Sequence, residues 1–161
     1  MKDQDVKKGT KIKIAEMVIF PAVRYGSESW TVRKKERKKI DAFELWMWRR
    51  ILRVPWTEQR MNLSVLDEVK PKRSIEATIL RLKLRYFGHV MRAKGSLERD
   101  IMLEQVAGYR RQVKPRIRWL DSIKEATGLC LGVLKEVVQD RKKWRMLVEE
   151  KTRYREHTNV K

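Results

Sequence analysis

The chain has 161 residues, of which 40 are Lys or Arg and 21 are Asp or Glu, so its net charge at pH 7 is +19. This charge predicts a polyanionic partner, with nucleic acid ahead of an anionic membrane surface. A hydrophobic content of 42% with six Trp argues against a disordered basic tail, which would have nothing to bury. A single cysteine excludes an internal disulfide, and no apolar stretch is long enough to span a bilayer, so we expect a soluble, intracellular protein.

Apolar residues at helical spacing predict a series of helices along the first half of the chain. The first covers residues 10–24 and ends near Pro21 or shortly after it. The second covers 34–54, and its many apolar residues predict a helix that its neighbours largely enclose. A short helix follows at 63–69, with Asn62 as the candidate N-cap.

A long helix is predicted over 74–92, with Ser74 as its N-cap and with Leu84 and Phe87 on its apolar face. Later helices are predicted at 97–106, 117–126, 132–139 and 141–151. No alternating strand pairs are present, so the predicted class is all-α, a multi-helix bundle with a basic connector and a smaller C-terminal helical lobe. Four tryptophans at helical spacing are expected to pack in the core rather than to stack on bases: Trp46, Trp48, Trp119 and Trp144.

The predicted long helix carries the first basic segment without acidic residues. Arg81, Arg85, His89 and Arg92 are spaced by four, four and three residues, so they share one helix face. We expect this row of cations to contact a phosphate backbone, with Gly88 allowing close approach. The alternatives are an ordinary solvated face and, for His89, packing next to Gly88.

A second acid-free basic segment lies in the connector at 108–119, between Tyr109 and Trp119. Arg suits phosphate because it is always charged and can bind through two parallel hydrogen bonds. The alternative is a flexible linker whose charge serves solubility. The candidate phosphate-binding residues of the connector are Arg110, Arg111, Lys114, Arg116 and Arg118.

The sequence contains no recognisable catalytic constellation. Its two histidines, His89 and His157, and its one cysteine, Cys130, do not form a zinc motif of any spaced pattern. A Gly-rich phosphate loop and a Ser nucleophile elbow are both missing from the sequence. We therefore expect no catalytic residues, no metal site and no cofactor.

Five segments of the chain follow one another in a distinctive order and spacing: YGSESW at 25–30, AFELWMWRRIL at 42–52, LRYFGHVMR at 84–92, PRIRWLDSI at 115–123 and DRKKWR at 140–145. Together they resemble the end of reverse transcriptases from non-LTR (LINE-type) retrotransposons. Among these, the RTE and jockey-like elements are the most similar. Several motifs in register are a more specific signal than any one of them.

The resemblance implies a thumb and C-terminal extension without the polymerase centre. In the family the catalytic carboxylates lie upstream, in a palm motif of Tyr-x-Asp-Asp type, and no Asp-Asp pair occurs in this sequence. The implied domains are a remnant of the palm-to-thumb connection at 1–31, a thumb-like helical domain at 32–106, and the basic connector with a C-terminal helical extension at 107–161. The implied partner is the backbone of RNA, an RNA–DNA hybrid or DNA, and we expect a nuclear rather than a cytoplasmic location.

The alternative function is a helical interaction module with no role in nucleic-acid binding. Loss of the palm is expected to uncover apolar side chains through which the chain could self-associate or bind another protein. The residues expected in such a surface are Met17, Ile19, Phe20 and Trp30.

Overall fold

The computed structural model describes residues 6–103 and 118–153. Within these ranges the chain is helical and has no strand, which confirms the all-α prediction. None of the helices in this part combines the length and the apolar character that crossing a bilayer requires. The described residues form two units, the first from 6–26 and 34–78 and the second from 27–33, 79–103 and 118–153.

The first unit begins with a continuous helical segment that has three parts. Helix α1 (Lys8–Ile14) passes into a π-helical turn (Ala15–Ile19) and then into α2 (Phe20–Arg24). Pro21 therefore lies inside the segment, three residues before its end. Proline has no N–H and crowds the preceding turn, and the looser π turn ends two residues before Pro21. The predicted helix over 10–24 is confirmed.

Helix α3 (Lys34–Leu52) contacts both α1 and α4 (Asn62–Val69) within the first unit. Trp48 is fully buried and meets the ring of Phe20 edge-on, at 5.0 Å between centroids. The expectation that α3 is largely enclosed is wrong, because this helix buries only one face, formed by Glu44, Trp48, Ile51 and Leu52. Trp46 lies outside that face and is 54% exposed, so its predicted core position is wrong as well.

A buried carboxylate on α3 stabilises the start of the next long helix, α5 (Ile75–Arg92). Glu44 accepts hydrogen bonds from the backbone N–H of Ile75 at 2.7 Å and from Nε1 of Trp48 at 3.3 Å. Ser74 accepts from the N–H of Ala77 at 3.1 Å, which confirms it as the N-cap. Two acceptors therefore satisfy N–H groups that a helix start leaves without an intrahelical partner.

The N-cap prediction for α4 is wrong by one residue. The cap position is Met61, and Asn62 is the first helical residue. The Asn62 side chain is engaged elsewhere, because its Oδ1 accepts a hydrogen bond from Nη2 of Arg49 at 2.9 Å.

The second unit contains most of α5, followed by α6 (Leu97–Met102), α7 (Trp119–Thr127), α8 (Leu131–Gln139) and α9 (Arg141–Lys151). The predicted bounds of α9 are confirmed, and those of the helices before it agree within two residues where they are described. The last residues of the helix predicted at 97–106 lie outside the described part. The core of the unit is formed by Leu84, Phe87, Val90, Met91, Ile123, Leu134, Val138, Trp144 and Val148.

The short segment 27–33 packs into the second unit through two of its carbonyl groups. Nε1 of Trp119 donates to the carbonyl of Glu28 at 2.8 Å, and Nζ of Lys83 donates to the carbonyl of Trp30 at 2.9 Å. The Lys83 ammonium also lies 4.8 Å from the centre of the Trp119 ring, within cation–π range. Trp119 is thus a half-buried packing residue, as its predicted core role requires.

Candidate nucleic-acid interface

The four cations predicted to share a face of α5 line one concave surface of the second unit. Helix α9 forms the other wall with two further arginines, Arg141 and Arg145. We call this surface the α5–α9 groove, and its volume is about 510 Å³. Its complete lining is Arg81, Arg85, His89, Arg92, Arg141, Trp144, Arg145, Val148 and Glu149. Five arginines and a histidine therefore face one carboxylate.

Two of the predicted cations are engaged by other residues of the second unit. Arg81 forms a salt bridge with Glu149 of α9. The Nη1 of Arg92 donates to the carbonyl of Val138 at 3.1 Å. The segment has no acidic residue of its own, but the fold packs Glu149 of α9 against Arg81.

Burial and charge act together on Arg92. Its pKa is lowered from the usual value, first by desolvation of the guanidinium and second by the positive charge of Arg141. A lowered pKa at an arginine means that the charged form is less stable there than in water. A bound anion would offset the repulsion between Arg92 and Arg141, since it would supply negative charge beside both guanidinium groups.

The remaining basic side chains of the groove are exposed: Arg85, His89, Arg141 and Arg145. Their side chains form no hydrogen bond or ion pair with any other residue in 6–103 or 118–153. The exposure of His89 contradicts the alternative that it packs next to Gly88. These four side chains are the ones in the groove that can reach a ligand without first leaving a protein partner.

Gly88 has a different role from the one predicted. A Cβ built at this position would lie 2.3 Å from Nε1 and 2.7 Å from Cδ1 of Trp144. The indole therefore occupies the space expected for a phosphate, and it donates from Nε1 to the carbonyl of Leu84 at 3.2 Å. Trp144 is buried against Phe87, which confirms its predicted core role. Gly88 thus allows α9 to pack closely on α5.

The predicted connector site lies almost entirely outside the described residues. This applies to Arg110, Arg111, Lys114 and Arg116. Arg118 is described, and it is exposed at the N-cap position of α7. Its backbone N–H donates to Oδ2 of Asp121 at 2.8 Å, which fixes the start of that helix.

Sequence reasoning missed the two arginines that α9 adds to the groove. Arg141 and Arg145 are four residues apart, which places them on one helix face. This spacing was available in the segment DRKKWR, but it does not reveal which helix the face contacts. The contact of the neighbouring Trp144 with Gly88 shows that this face of α9 meets α5, but the contact is known only from the structure.

Within 6–103 and 118–153, no three His, Cys, Asp or Glu side chains are grouped so that they could hold a metal ion. Cys130 is a free and exposed thiol at the start of α8.

The chain is similar to an uncharacterized transposon-derived protein of Caenorhabditis elegans, with 24% identity over 164 residues. The match covers 93% of this chain and 58% of that protein, so the chain spans little more than half the length of its relative. No protein-family profile and no solved structure matches the chain. The similarity indicates a transposon-related origin.

Proposed function

We propose that the chain binds the sugar-phosphate backbone of nucleic acid through the α5–α9 groove. The observation that carries the proposal is the convergence of five arginines and a histidine from two helices around a single glutamate. A face that only keeps a helix solvated usually mixes charge signs. Here two helices bring the same sign of charge to one concave surface, as expected for recognition of a polyanion.

The row of cations on α5 has a length that suits a nucleic-acid strand. Arg81 and Arg92 are eleven residues apart, which corresponds to about 16 Å along a helix axis. One strand of a duplex carries about five phosphates over that axial length. Backbone contacts of this kind position a duplex without reading its sequence.

The proposed parent is a non-LTR retrotransposon reverse transcriptase, of which this chain would be the thumb-like part. The five sequence segments that resemble that family support this origin, and so does the similarity to a transposon-derived protein. An RNA–DNA hybrid is then the ligand to test first. We propose that the chain holds nucleic acid without catalysing its synthesis, and we expect no primer extension by this chain in the presence of Mg²⁺.

The test measures the affinity for a labelled hybrid duplex by fluorescence anisotropy over a series of salt concentrations. The double variant Arg85→Ala/Arg145→Ala removes two exposed groove cations. Each phosphate contact contributes about 0.9 to the slope of log K against log salt concentration. We expect the variant to bind at least about tenfold more weakly at low salt and to lose about 2 from that slope.

The matched control is Lys142→Ala/Lys143→Ala, which removes the same net charge, here from the turn of α9 that also carries Arg145. Both lysines are exposed, and neither lines the groove. We expect the control to reduce affinity only slightly, through the lower overall charge. Equal losses in the two double variants, or no binding by the wild type at low salt, would contradict the proposed interface.

Self-association is the second candidate function, and the exposed apolar residues of the first helical segment favour it. Met17 is 76% exposed and Val18 lies beside it, also exposed. Phe20 does not belong to this surface, since it is buried against Trp48, and Trp30 belongs to the other unit. If light scattering shows a monodisperse oligomer and this oligomer does not bind nucleic acid, self-association would be favoured over nucleic-acid binding.

A further inference from the structure

A second basic groove lies in the first unit, around the C-terminal half of α3. We call it the α3 groove; its volume is about 650 Å³, and no carboxylate is among the residues that line it. Four cations contribute to it: two lie at the end of α3, one directly follows that helix, and one belongs to α1. Its polar and aromatic lining is Lys11, Trp46, Arg49, Arg50 and Arg53.

The position of the arginines has a partial explanation in the helix itself. The C-terminal end of a helix carries a partial negative charge, so arginines in the last turn of α3 are favourable there. Arg49 is held by the carbonyl of Arg60 and by Oδ1 of Asn62, which fixes its orientation. Arg53 follows the helix with a positive φ of 58°, which ends α3 at this point. The helix dipole accounts for these cations, but it does not account for an exposed indole among them.

Trp46 is the side chain on which the inference rests. It is 54% exposed, whereas Trp48 two residues later is fully buried. Its ring is also held in place, because Phe43 stacks beside it with ring centroids 6.1 Å apart and planes inclined by 29°. The guanidinium of Arg50 lies over the ring, 5.8 Å from its centre. An exposed, oriented indole next to cations is the arrangement on which unpaired bases stack in single-strand-binding proteins.

We propose that the α3 groove binds single-stranded nucleic acid, with Trp46 stacking on an unpaired base and Arg50 and Arg53 neutralising the adjacent phosphates. A duplex does not fit this role, because its bases are already stacked on each other and present no free face. The site is therefore distinct in ligand from the α5–α9 groove, and it does not depend on the function proposed for that groove. Stacking is tolerant of sequence, since every base has an aromatic face.

The probe is a labelled oligothymidylate strand of about 10 nucleotides, within the range of known single-strand site sizes. Anisotropy titrations compare the wild type with Trp46→Ala and Trp46→Phe, and a labelled duplex is titrated in parallel. Because base–aromatic stacking contributes strongly to such sites, we expect Trp46→Ala to weaken single-strand binding by about tenfold or more. Trp46→Phe keeps an aromatic face and should lose only a few-fold, and duplex affinity should stay within about twofold for both variants.

Trp30→Ala is the matched control, since it removes another exposed indole, 43% accessible, that lines neither groove. It should leave single-strand affinity unchanged. The proposal is overturned if Trp46→Ala binds the strand as well as the wild type does. It is equally overturned if Trp30→Ala loses as much affinity, or if the wild type binds only the duplex. That last result would leave the α5–α9 groove as a binding site, so the two proposals fail separately.

Discussion

The packing of Trp144 on Gly88 gives the sharpest test of the structure, because two opposing effects of one substitution can be compared. Gly88→Ala replaces a glycine inside α5 with the best helix-forming residue. In an exposed helix this change stabilises the folded state by roughly 1 kcal/mol. If Gly88 faced a ligand or solvent, as its sequence context suggested, the variant would therefore be more stable than the wild type.

The structure predicts the opposite sign. The new Cβ would lie 2.3 Å from Nε1 of Trp144, whereas ordinary contacts begin at 3.4 Å, so the indole must retreat by about 1 Å. Overpacking of a core site costs about 1–3 kcal/mol. The retreat also stretches the hydrogen bond from the indole to the carbonyl of Leu84, and a buried group left without its partner costs about 1–3 kcal/mol. After subtraction of the helix-propensity gain, we expect a net loss of about 2 kcal/mol in the free energy of unfolding.

Urea unfolding followed by far-UV circular dichroism measures this difference directly. Gly132→Ala in α8 is the matched control, since nothing lies within 4 Å of a Cβ at that position. The control should be neutral or more stable by up to about 1 kcal/mol. A Gly88→Ala protein as stable as the wild type would refute the assigned packing of α9 on α5.

Two further predictions concern buried and paired carboxylates of the first unit. Glu44→Ala leaves two buried donors without an acceptor, so we expect a loss of about 2–4 kcal/mol in urea unfolding, whereas the exposed Glu58→Ala should change stability by less than about 0.5 kcal/mol. The Glu68 carboxylate accepts hydrogen bonds from Arg60 and Lys8. These bonds, with that from Arg60 contributing most, lower the pKa of Glu68 below the ordinary value of 4.5. Because the folded pKa is the lower one, the stabilisation is complete above pH 4.5 and is lost as the pH falls through the folded value. The difference in thermal midpoint between the wild type and Glu68→Gln should therefore be present at neutral pH and vanish in acid; a difference that persists there would contradict the assigned ion pairs.

The helices were predictable where their limits depend on local chemistry. The start of α9 is fixed by Asp140, whose Oδ1 accepts from the N–H groups of Lys142 and Lys143 at 2.9 and 3.1 Å, and this cap is visible in the sequence. The cap of α4 was mistaken because the side chain of Asn62 accepts a hydrogen bond from Arg49, which lies 13 residues earlier in the chain. Local rules place an element, but they cannot decide between two partners for one side chain.

The candidate site was predictable to the extent that it depends on one helix. Spacing along α5 correctly placed Arg85 and His89 on a shared face. The contribution of Arg141 and the pairing of Glu149 with Arg81 both depend on which face of α9 meets α5. The predicted burial of Trp46 was wrong for the same reason, since an apolar position on a helix is buried only if another element covers it.

The sequence segments that resemble reverse transcriptases supply two of the long-range hydrogen bonds of the second unit. Trp119 of one segment bonds to Glu28 of another, and Trp144 of a third bonds to Leu84 of a fourth. A helical protein could keep these residues for packing alone, so the resemblance supports the fold more directly than it supports binding.

The basic side chains of the groove do not have this packing role. Arg85, His89, Arg141 and Arg145 are exposed, and none is bonded to another residue in the described part of the chain. The like charges of Arg85, Arg141 and Arg145 repel each other on this concave surface and add nothing to the packing of the unit. A bound phosphate backbone would remove that repulsion, so the proposed function is tested on these side chains and not on the residues of the same segments that hold the fold together.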